Sequence, residues 1–234
     1  MKIQYLHHSG FAVYSKSATL VFDYFDVPEC PPLPQEVFSE DVPLYVFVSH
    51  AHHDHYSPSV LRWKEQKQNI VYLFSSDAAK RSKDSTVHSL SAGDSFADGV
   101  LNVRAFGSTD VGVSFAVELD GMRLFHAGDL NNWHWEGEST PEEISDMAAR
   151  FHRILSDIAA AYSSFDAAFF PVDPRMQGDY ALGAREFLQK ISCVNFIPMH
   201  FWGDFGSAQS FAPTATTLGV RFLCPSRCGD VFTI

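Results

Sequence analysis

Short apolar runs follow one another through the first part of the chain. The stretches KIQYL, FAVYS and TLVFDYF, all within residues 2–25, have the length and the β-branched and aromatic content that are typical of strands. Ser9 and Gly10 supply a turn between the first two stretches. LYVFVS (44–49) is continuously apolar, as expected of a strand that is covered on both faces. We therefore predict a meander that leads into a central, buried strand.

The rest of the chain alternates predicted strands with predicted helices. Further strands are predicted over residues 69–74, 100–106, 112–119, 122–127, 166–172, 194–199 and 220–224. Helices are predicted over residues 58–66, 77–83, 140–162 and 181–190, whereas the proline-rich segment 28–43 predicts a loop. Thr140 is the expected N-cap of the longest helix, because a proline and two glutamates follow it. This order indicates an α/β fold with two packed sheets and outer helices, in one domain of residues 1–234.

The composition supports a folded core and argues against a nucleic-acid partner. Hydrophobic residues make up 46% of the 234 positions, and the 21 phenylalanines fall mostly in the apolar runs. The net charge is −11, and no cluster of lysine and arginine is visible. A general nucleic-acid binder needs a basic face, so we expect neither that class of partner nor a membrane surface. A homo-oligomer is left open.

The first residues lack a cationic segment followed by a long apolar stretch, so no secretory signal is expected. No apolar run approaches the ~20 residues of a membrane span. We therefore expect a cytoplasmic, reducing location. In such a compartment the four cysteines, which are Cys30, Cys193, Cys224 and Cys228, are expected to be thiols.

Histidines concentrate directly after the central strand, in the stretch VSHAHHDHYS. His50 and His52 are spaced to grip one cation, and Asp54 and His55 can turn toward a second. Imidazole and carboxylate groups are ligands of zinc, manganese and iron. A polar surface loop is the alternative interpretation, but four groups at this spacing argue against it.

Two further residues of the same chemistry also follow predicted strands. Asp129 comes after Gly128, and His200 comes after FIPM. Taken singly, Asp129 can be a turn cap and His200 a hydrogen-bonded core histidine. Their shared position at strand ends makes a common metal site the better hypothesis.

The order His50-x-His52-x-Asp54-His55, then Gly128-Asp129, then His200, resembles the metallo-β-lactamase superfamily. In LHHSGFAV, VFDYF and HAGD the chain is similar to the branch of ascorbate-phosphate lactonase-like and uncharacterised metal-dependent hydrolases. The resemblance implies a four-layer αββα sandwich with its site at one edge of the two sheets. It also implies one or two divalent metal ions, with zinc favoured and manganese or iron as alternatives.

The resemblance implies a role for each matching residue. One metal would be bound by His50 and His52, the other by Asp54, His55 and His200, with Asp129 between them. His8 and Asp23 would orient the ligands from behind; an ordinary turn histidine and a hairpin aspartate are the alternative.

One position departs from the superfamily pattern. The pattern has a third histidine for the first metal where this chain has Gly107. Either that position is weak, or a neighbouring side chain replaces the histidine. Asp110 is the best substitute because a carboxylate is a better ligand than the hydroxyls of Ser108 and Thr109. His134 is the other candidate.

Aromatic residues flank the predicted ligands. Trp133 and Trp135 follow Asp129 closely, and Trp202 follows His200, so they are candidates for the wall of a substrate pocket. The alternative for the first two is packing onto the helix that follows. Arg175 is a candidate for contact with an anionic substrate group, or it pairs with a nearby aspartate.

The resulting hypothesis is a hydrolase that uses a metal-activated water on a small ester, lactone or phosphoester. Asp54 would be the catalytic residue that orients this water and takes its proton. A non-catalytic metal-binding or sensing scaffold is the alternative from another class, and Gly107 is the feature that favours it. A nuclease is a lesser alternative, which the acidic charge disfavours.

Overall fold

Fourteen strands form two seven-stranded sheets in the computed structural model, which describes residues 1–135 and 137–234. The first sheet contains, in spatial order, β14 (Val231–Thr233), β1 (Lys2–His7), β2 (Gly10–Tyr14), β3 (Thr19–Phe22), β4 (Leu44–Val48), β5 (Ile70–Ser75) and β6 (Val87–Leu90). The second sheet contains β13 (Arg221–Phe222), β12 (Ser192–Met199), β11 (Ser164–Pro171), β10 (Met122–His126), β9 (Ser114–Leu119), β8 (Leu101–Phe106) and β7 (Ser95–Ala97). The two sheets thus come from successive halves of the chain, except for β14.

Helices cover the outer faces of both sheets. They are α1 (Glu36–Ser39), α2 (Ser76–Ser82), α3 (Pro141–Ala161), α4 (Leu182–Lys190), α5 (Phe205–Gln209) and α6 (Ala212–Thr217), with 3-10 helices at Pro58–Glu65 and Pro174–Asp179. The second helix packs on β5 and β6, whereas α3 and α4 pack on the second sheet. The fold is therefore the predicted four-layer αββα sandwich. None of the helices among residues 1–135 and 137–234 combines the length and the apolarity that a membrane crossing requires.

Phenylalanines fill the space between the sheets. Phe11 of the first sheet lies 4.5 Å from Phe169 of the second, measured between ring centroids. Phe47 and Phe115 meet across the same gap at 5.3 Å. All four rings are fully buried. Burying a side chain of this size contributes ~1.5–3 kcal/mol, so the sheets hold each other through this aromatic layer.

Parallel strands bring several loops to one edge of the sandwich. β3, β4, β5 and β6 run parallel in the first sheet, and β10, β11, β12 and β13 run parallel in the second. Parallel strands end at the same edge, so the loops after β4, β10 and β12 collect there. Backbone hydrogen bonds join the sheets at this edge: Val113 donates its N–H to the Ser49 carbonyl (2.9 Å), and His200 donates its N–H to the His8 carbonyl (3.2 Å).

The longest helix begins as predicted. The Thr140 hydroxyl accepts from the N–H of Glu143, whose carboxylate accepts from the N–H of Thr140. This reciprocal pair is the capping box that the sequence indicated. The short elements β6, β7, β14, α1, α5 and α6 were not predicted, because they are too short for a hydrophobic period to show.

The expectation of four thiols is wrong for two cysteines. Cys30 and Cys228 form a disulfide with a Cα–Cα distance of 5.4 Å, although 198 positions separate them. The pairing of β14 with β1 carries Cys228 to the loop after β3, where Cys30 lies. Spacing along the chain does not show a contact made in this way. Cys193 and Cys224 are free.

Candidate metal centre

Eight metal-binding side chains meet where the loops converge. They form two groups within which the donor atoms lie no more than 4.8 Å apart: His8, Asp54, His55 and His200 in one, and His50, His52, Asp110 and Asp129 in the other. The structure thus brings together all six residues predicted as ligands. It adds His8 and Asp110 to them.

Asp129 touches both groups. Its Oδ2 lies 3.4 Å from His50 Nε2. Its Oδ1 lies 3.1 Å from His55 Nε2 and 3.3 Å from His200 Nε2. One carboxylate therefore faces three imidazoles that come from both sheets, which is the position that a bridging ligand needs.

Several of these donor atoms are buried and have no hydrogen-bond partner among residues 1–135 and 137–234. They include Nε2 of His50, Nε2 of His55, Oδ1 of Asp129 and both ring nitrogens of His8. The short distances between them do not have hydrogen-bond geometry. A buried polar atom left unpaired costs ~1–3 kcal/mol, and such a concentration of unpaired atoms is unusual. Nitrogen and carboxylate donors that converge in this way fit divalent cations of the zinc type.

Asp23 holds His55 in place from behind. The Nδ1–H of His55 donates to Asp23 at 2.8 Å, and the same carboxylate accepts from the N–H of Ser49 at 2.7 Å and from its hydroxyl at 2.6 Å. A histidine fixed through Nδ1 presents Nε2 to a metal. Asp23 therefore has the place expected of an orienting residue.

Asp173 does the same for His200, a role that the sequence reasoning did not assign. The Nδ1–H of His200 donates to Asp173 at 2.9 Å. This carboxylate is fully buried and also accepts from the side chain of Arg175 at 3.0 Å. The available signal was its position, two residues beyond the parallel strand β11.

The structure corrects the placement of His8. We expected an orienting residue behind the ligands, but its ring lies among them, with Nε2 3.4 Å from Asp54. The cause is the turn after β1, where His8 has a positive φ of 53°. This backbone conformation aims the ring at the metal centre rather than along the sheet.

Left-handed backbone is frequent at this edge. His8, Asp23, His200 and Trp202 have φ values of 53°, 44°, 65° and 51°. Residues with a Cβ rarely adopt this conformation, which costs ~1–3 kcal/mol at each position. Strain of this kind is typical of functional sites.

The carboxylates and the imidazoles of the centre shift one another's pKa values. Burial alone would raise the pKa of Asp129, but His55 and His200 hold it well below its usual range. Burial alone would lower the pKa of His55, but the carboxylates of Asp129 and Asp23 raise it well above its usual value. Asp129 is therefore an anion at neutral pH.

An open cavity of about 330 Å³ lies over the donor groups. Trp135, Trp202 and Arg175 line it, and the guanidinium of Arg175 lies 5.4 Å from the ring centroid of each tryptophan. Trp133 also lines it but is 7% exposed, and its Nε1–H donates to the carbonyl of Asp129 at 3.1 Å. Trp133 thus supports the loop that carries Asp129, whereas Trp135 and Trp202 form part of the cavity wall.

Comparison with known proteins identifies the family of this chain. Residues 2–143 match the sequence profile of the family described as the beta-lactamase superfamily domain. The whole chain aligns with the structure of Igni18, a metallo hydrolase from Ignicoccus hospitalis, with a TM-score of 0.68 and 16% identity over 98% of that chain. The metallo-β-lactamase fold protein YhfI from Bacillus subtilis gives a TM-score of 0.65 with 12% identity, covering 99% of both chains. The chain belongs to the metallo-β-lactamase superfamily.

A sequence relative agrees with this assignment. A protein from Symbiobacterium thermophilum described as a UPF0173 metal-dependent hydrolase is 26% identical over 251 residues, which cover both chains completely. The superfamily match therefore extends beyond the motif after β4 to the whole length of the chain.

The structure shows which side chains lie near the position of the missing histidine. A Cβ on Gly107 would lie 3.4 Å from Ile154 of α3, so a side chain there would begin against the helix. Asp110 instead lies in the group that contains His50 and His52, with its Oδ2 3.8 Å from His52 Nδ1. His134 lies in neither group and pairs with Asp179. Geometry therefore favours Asp110 over His134 as the substitute ligand.

Gly112 allows the loop before β9 to lie close to the loop after β4. It has a φ of 80°, and a Cβ there would lie 2.0 Å from the Ser49 carbonyl oxygen and 2.5 Å from His50 Cβ. We expect Gly112→Ala to lower the free energy of unfolding by ~1–3 kcal/mol or more, through strain and overpacking, and to weaken metal binding. Denaturant titration and metal titration measure the two effects.

Gly99→Ala is the matched control for this substitution. Gly99 has a similar φ of 88°, but a Cβ there would meet nothing within 4 Å. Gly99→Ala therefore measures only the loss of stability caused by a Cβ at a left-handed backbone position. Equal losses of stability in the two variants would show that the close approach of Gly112 to Ser49 is not a constraint.

Proposed function

We propose that this protein is a metal-dependent hydrolase that acts on a small ester, lactone or phosphoester. The observation that carries the proposal is the set of buried, unpaired nitrogen and oxygen donors at the floor of an open cavity. The relatives described as metal-dependent hydrolases support the same activity.

The proposed ligands follow the two groups. His50, His52 and Asp110 would hold one divalent cation, and His8, Asp54, His55 and His200 the other, with Asp129 between them. Zinc is the metal we favour for this mixture of imidazole and carboxylate, with manganese or iron as alternatives. The side chains of His52 and Asp110 are half-exposed, at 52% and 46%. The cation that they hold would therefore be bound more weakly than the other.

When bound, such cations lower the pKa of water and polarise carbonyl or phosphoryl oxygens. Asp54 supplies the chain's own part of the chemistry. Its side chain is 13% exposed, faces the cavity and lies 3.4 Å from His8. Burial alone would raise the pKa of Asp54, but His8 and His55 hold it well below its usual range. The ionised carboxylate can therefore accept a hydrogen bond from water and orient it for attack.

The residues of the cavity wall support a proposal for the substrate class. Its volume of about 330 Å³ is at the small end of ligand pockets. Trp135 and Trp202 offer flat apolar surface, and Arg175, with a 49% exposed side chain, offers N–H groups to an anion. These features favour a small substrate with a planar or apolar part and an acidic group.

Two alternative functions are less well supported. A nuclease would need a basic path for the phosphate backbone, but Arg175 is the one Lys or Arg side chain among the described residues that line this cavity. A non-catalytic scaffold was favoured by Gly107, and the position of Asp110 weakens that argument.

The first test is metal content together with turnover. Protein purified without a metal-affinity tag should contain about two metal ions per chain and hydrolyse nitrophenyl esters, lactones or phosphoesters in a metal-dependent way. Asp110→Ala should lower the content to about one. Asp146→Ala, which removes an exposed carboxylate on α3, should leave it at the native value. Metal binding without turnover on any substrate class would favour the scaffold; no metal uptake at all would overturn both functions.

A further inference from the structure

A third group of metal-binding side chains lies outside the centre described above. A ring nitrogen of His7 and the sulfur atoms of Cys30 and Cys228 lie within 4.8 Å of one another. The two sulfurs are joined as a disulfide. His7 Nδ1 is buried and has no hydrogen-bond partner among the described residues. His7 thus offers a ring nitrogen close to the two sulfur atoms, and its Nδ1 is not engaged by a hydrogen bond to any described residue.

The three residues come from separate segments that the fold holds together. His7 ends β1, Cys30 lies in the loop after β3, and Cys228 lies in the turn before β14. That turn is tied to β1, because Gly229 donates its N–H to the carbonyl of Tyr5 at 2.8 Å and Tyr5 donates to Asp230 at 2.9 Å. The two backbone bonds keep Cys228 near His7 whether or not the disulfide is present.

The spacing suits a tetrahedral cation. Zinc binds sulfur at ~2.3 Å and imidazole nitrogen at ~2.0–2.1 Å, which places two ligand atoms about 3.5–4 Å apart. The three donor atoms all lie within 4.8 Å of one another, so they are close enough to share one ion after a small movement. Once the two sulfurs are separate thiolates, they need to move apart by only one to two ångströms, roughly, to bind the same ion as His7.

We propose that Cys30, Cys228 and His7 form a redox-controlled binding site for a thiophilic divalent cation such as zinc, closed as a disulfide and opened by reduction. The reductant is a dithiol. One of its thiolates attacks a sulfur of the disulfide, its second thiol then closes the reductant's own disulfide, and Cys30 and Cys228 are released as thiols. The two electrons come from the dithiol. Zinc then displaces the two thiol protons and binds both thiolates and the neutral ring of His7, with water in the fourth position.

The site is separate from the metal centre but adjacent to it. His7 and His8 are consecutive, and their ring centroids lie 6.4 Å apart, with His8 among the donors of the metal centre. In a reducing compartment disulfides are rare, so there the thiol form would be the one available for metal. The two sites can be tested separately. None of the donors in the metal centre is a sulfur atom, so a signal from thiolate ligands reports the cysteine site alone.

Cobalt(II) tests the proposal directly, because only thiolate ligands give cobalt an intense charge-transfer band in the near ultraviolet. The full-length protein is treated with dithiothreitol, freed of reductant under inert gas and titrated with cobalt(II). We expect the band after reduction and its absence in the oxidised protein. Elemental analysis should show one more zinc ion per chain in the reduced protein than in the oxidised one.

Variants identify the ligands. Cys228→Ser should lose the band, whereas Cys224→Ser should keep it, because Cys224 is a free cysteine four positions away and lies outside the group. His7→Asn retains both thiols and should weaken cobalt binding, so it tests the site even if Cys228→Ser folds poorly. Circular dichroism checks the fold of each variant.

Two results would overturn the proposal. One is a reduced protein in which thiol titration counts Cys30 and Cys228 as free but cobalt gives no band. The other is a disulfide that dithiothreitol does not reduce in the folded protein, which would make the link purely structural. Neither result affects the metal content of the centre that contains Asp129, so the two proposals fail separately.

Discussion

Replacing Asp129 with asparagine is expected to remove most of the bound metal and to bring hydrolysis below detection. The substitution keeps the shape of the side chain but removes the charge that faces His50, His55 and His200 at 3.1–3.4 Å. Both proposed cations lose a ligand at once, because this carboxylate touches both groups. Elemental analysis after dialysis measures the loss, and turnover on the best substrate measures its consequence.

Asp23→Asn provides the graded comparison. Asp23 supports His55 through Nδ1 and lies outside the donor groups. Loss of such a supporting contact lowers metal affinity by ~10–100-fold, which is less than the loss of a bridging ligand. If Asp129→Asn retained two metals per chain, or lost less metal than Asp23→Asn, the bridging role would be excluded.

Asp54→Asn should separate metal binding from catalysis. The amide oxygen still offers a neutral ligand atom, so we expect much of the metal to remain. It cannot accept a proton from water, and the loss of general-base assistance lowers turnover by ~10²–10⁴-fold. The measurements are kcat and metal content on the same preparation.

His53→Ala is the control within the same loop. The side chain of His53 is 90% exposed, and it lies outside the donor groups although it stands next to Asp54. It should leave both metal content and kcat unchanged. Native turnover in Asp54→Asn at full metal content would sink the mechanism proposed above.

The convergence of the candidate donor residues was predictable because they follow a local rule. His50 to His55, Asp129 and His200 each follow a buried strand, and parallel strands end at a common edge. The capping box of α3 was predictable for the same reason, since its residues are three apart in the chain. The order of the elements predicts two packed sheets with outer helices, and the resemblance to the superfamily implied their four-layer αββα arrangement.

The remaining parts of the site depend on contacts between distant segments. His8 enters the donor group because of a left-handed turn, and a residue with a Cβ gives no warning of that conformation. Asp110 lies near His52, whereas His134 pairs with Asp179. The disulfide depends on the pairing of β14 with β1. Such long-range contacts leave no period or motif in the sequence.

The division of the ligands between two sheets has a consequence for biosynthesis. The loops of the first sheet carry His8 and His50 to His55, whereas Asp129 and His200 follow strands of the second. A nascent chain that has emerged only as far as residue 100 displays the histidine loop but lacks the carboxylate that joins the two groups. Metal captured at that stage would be held by few ligands and exchange readily. If these residues are the ligands, as proposed above, we expect firm metallation to be a late event, delayed until residue 200 has left the ribosome and the second sheet has docked.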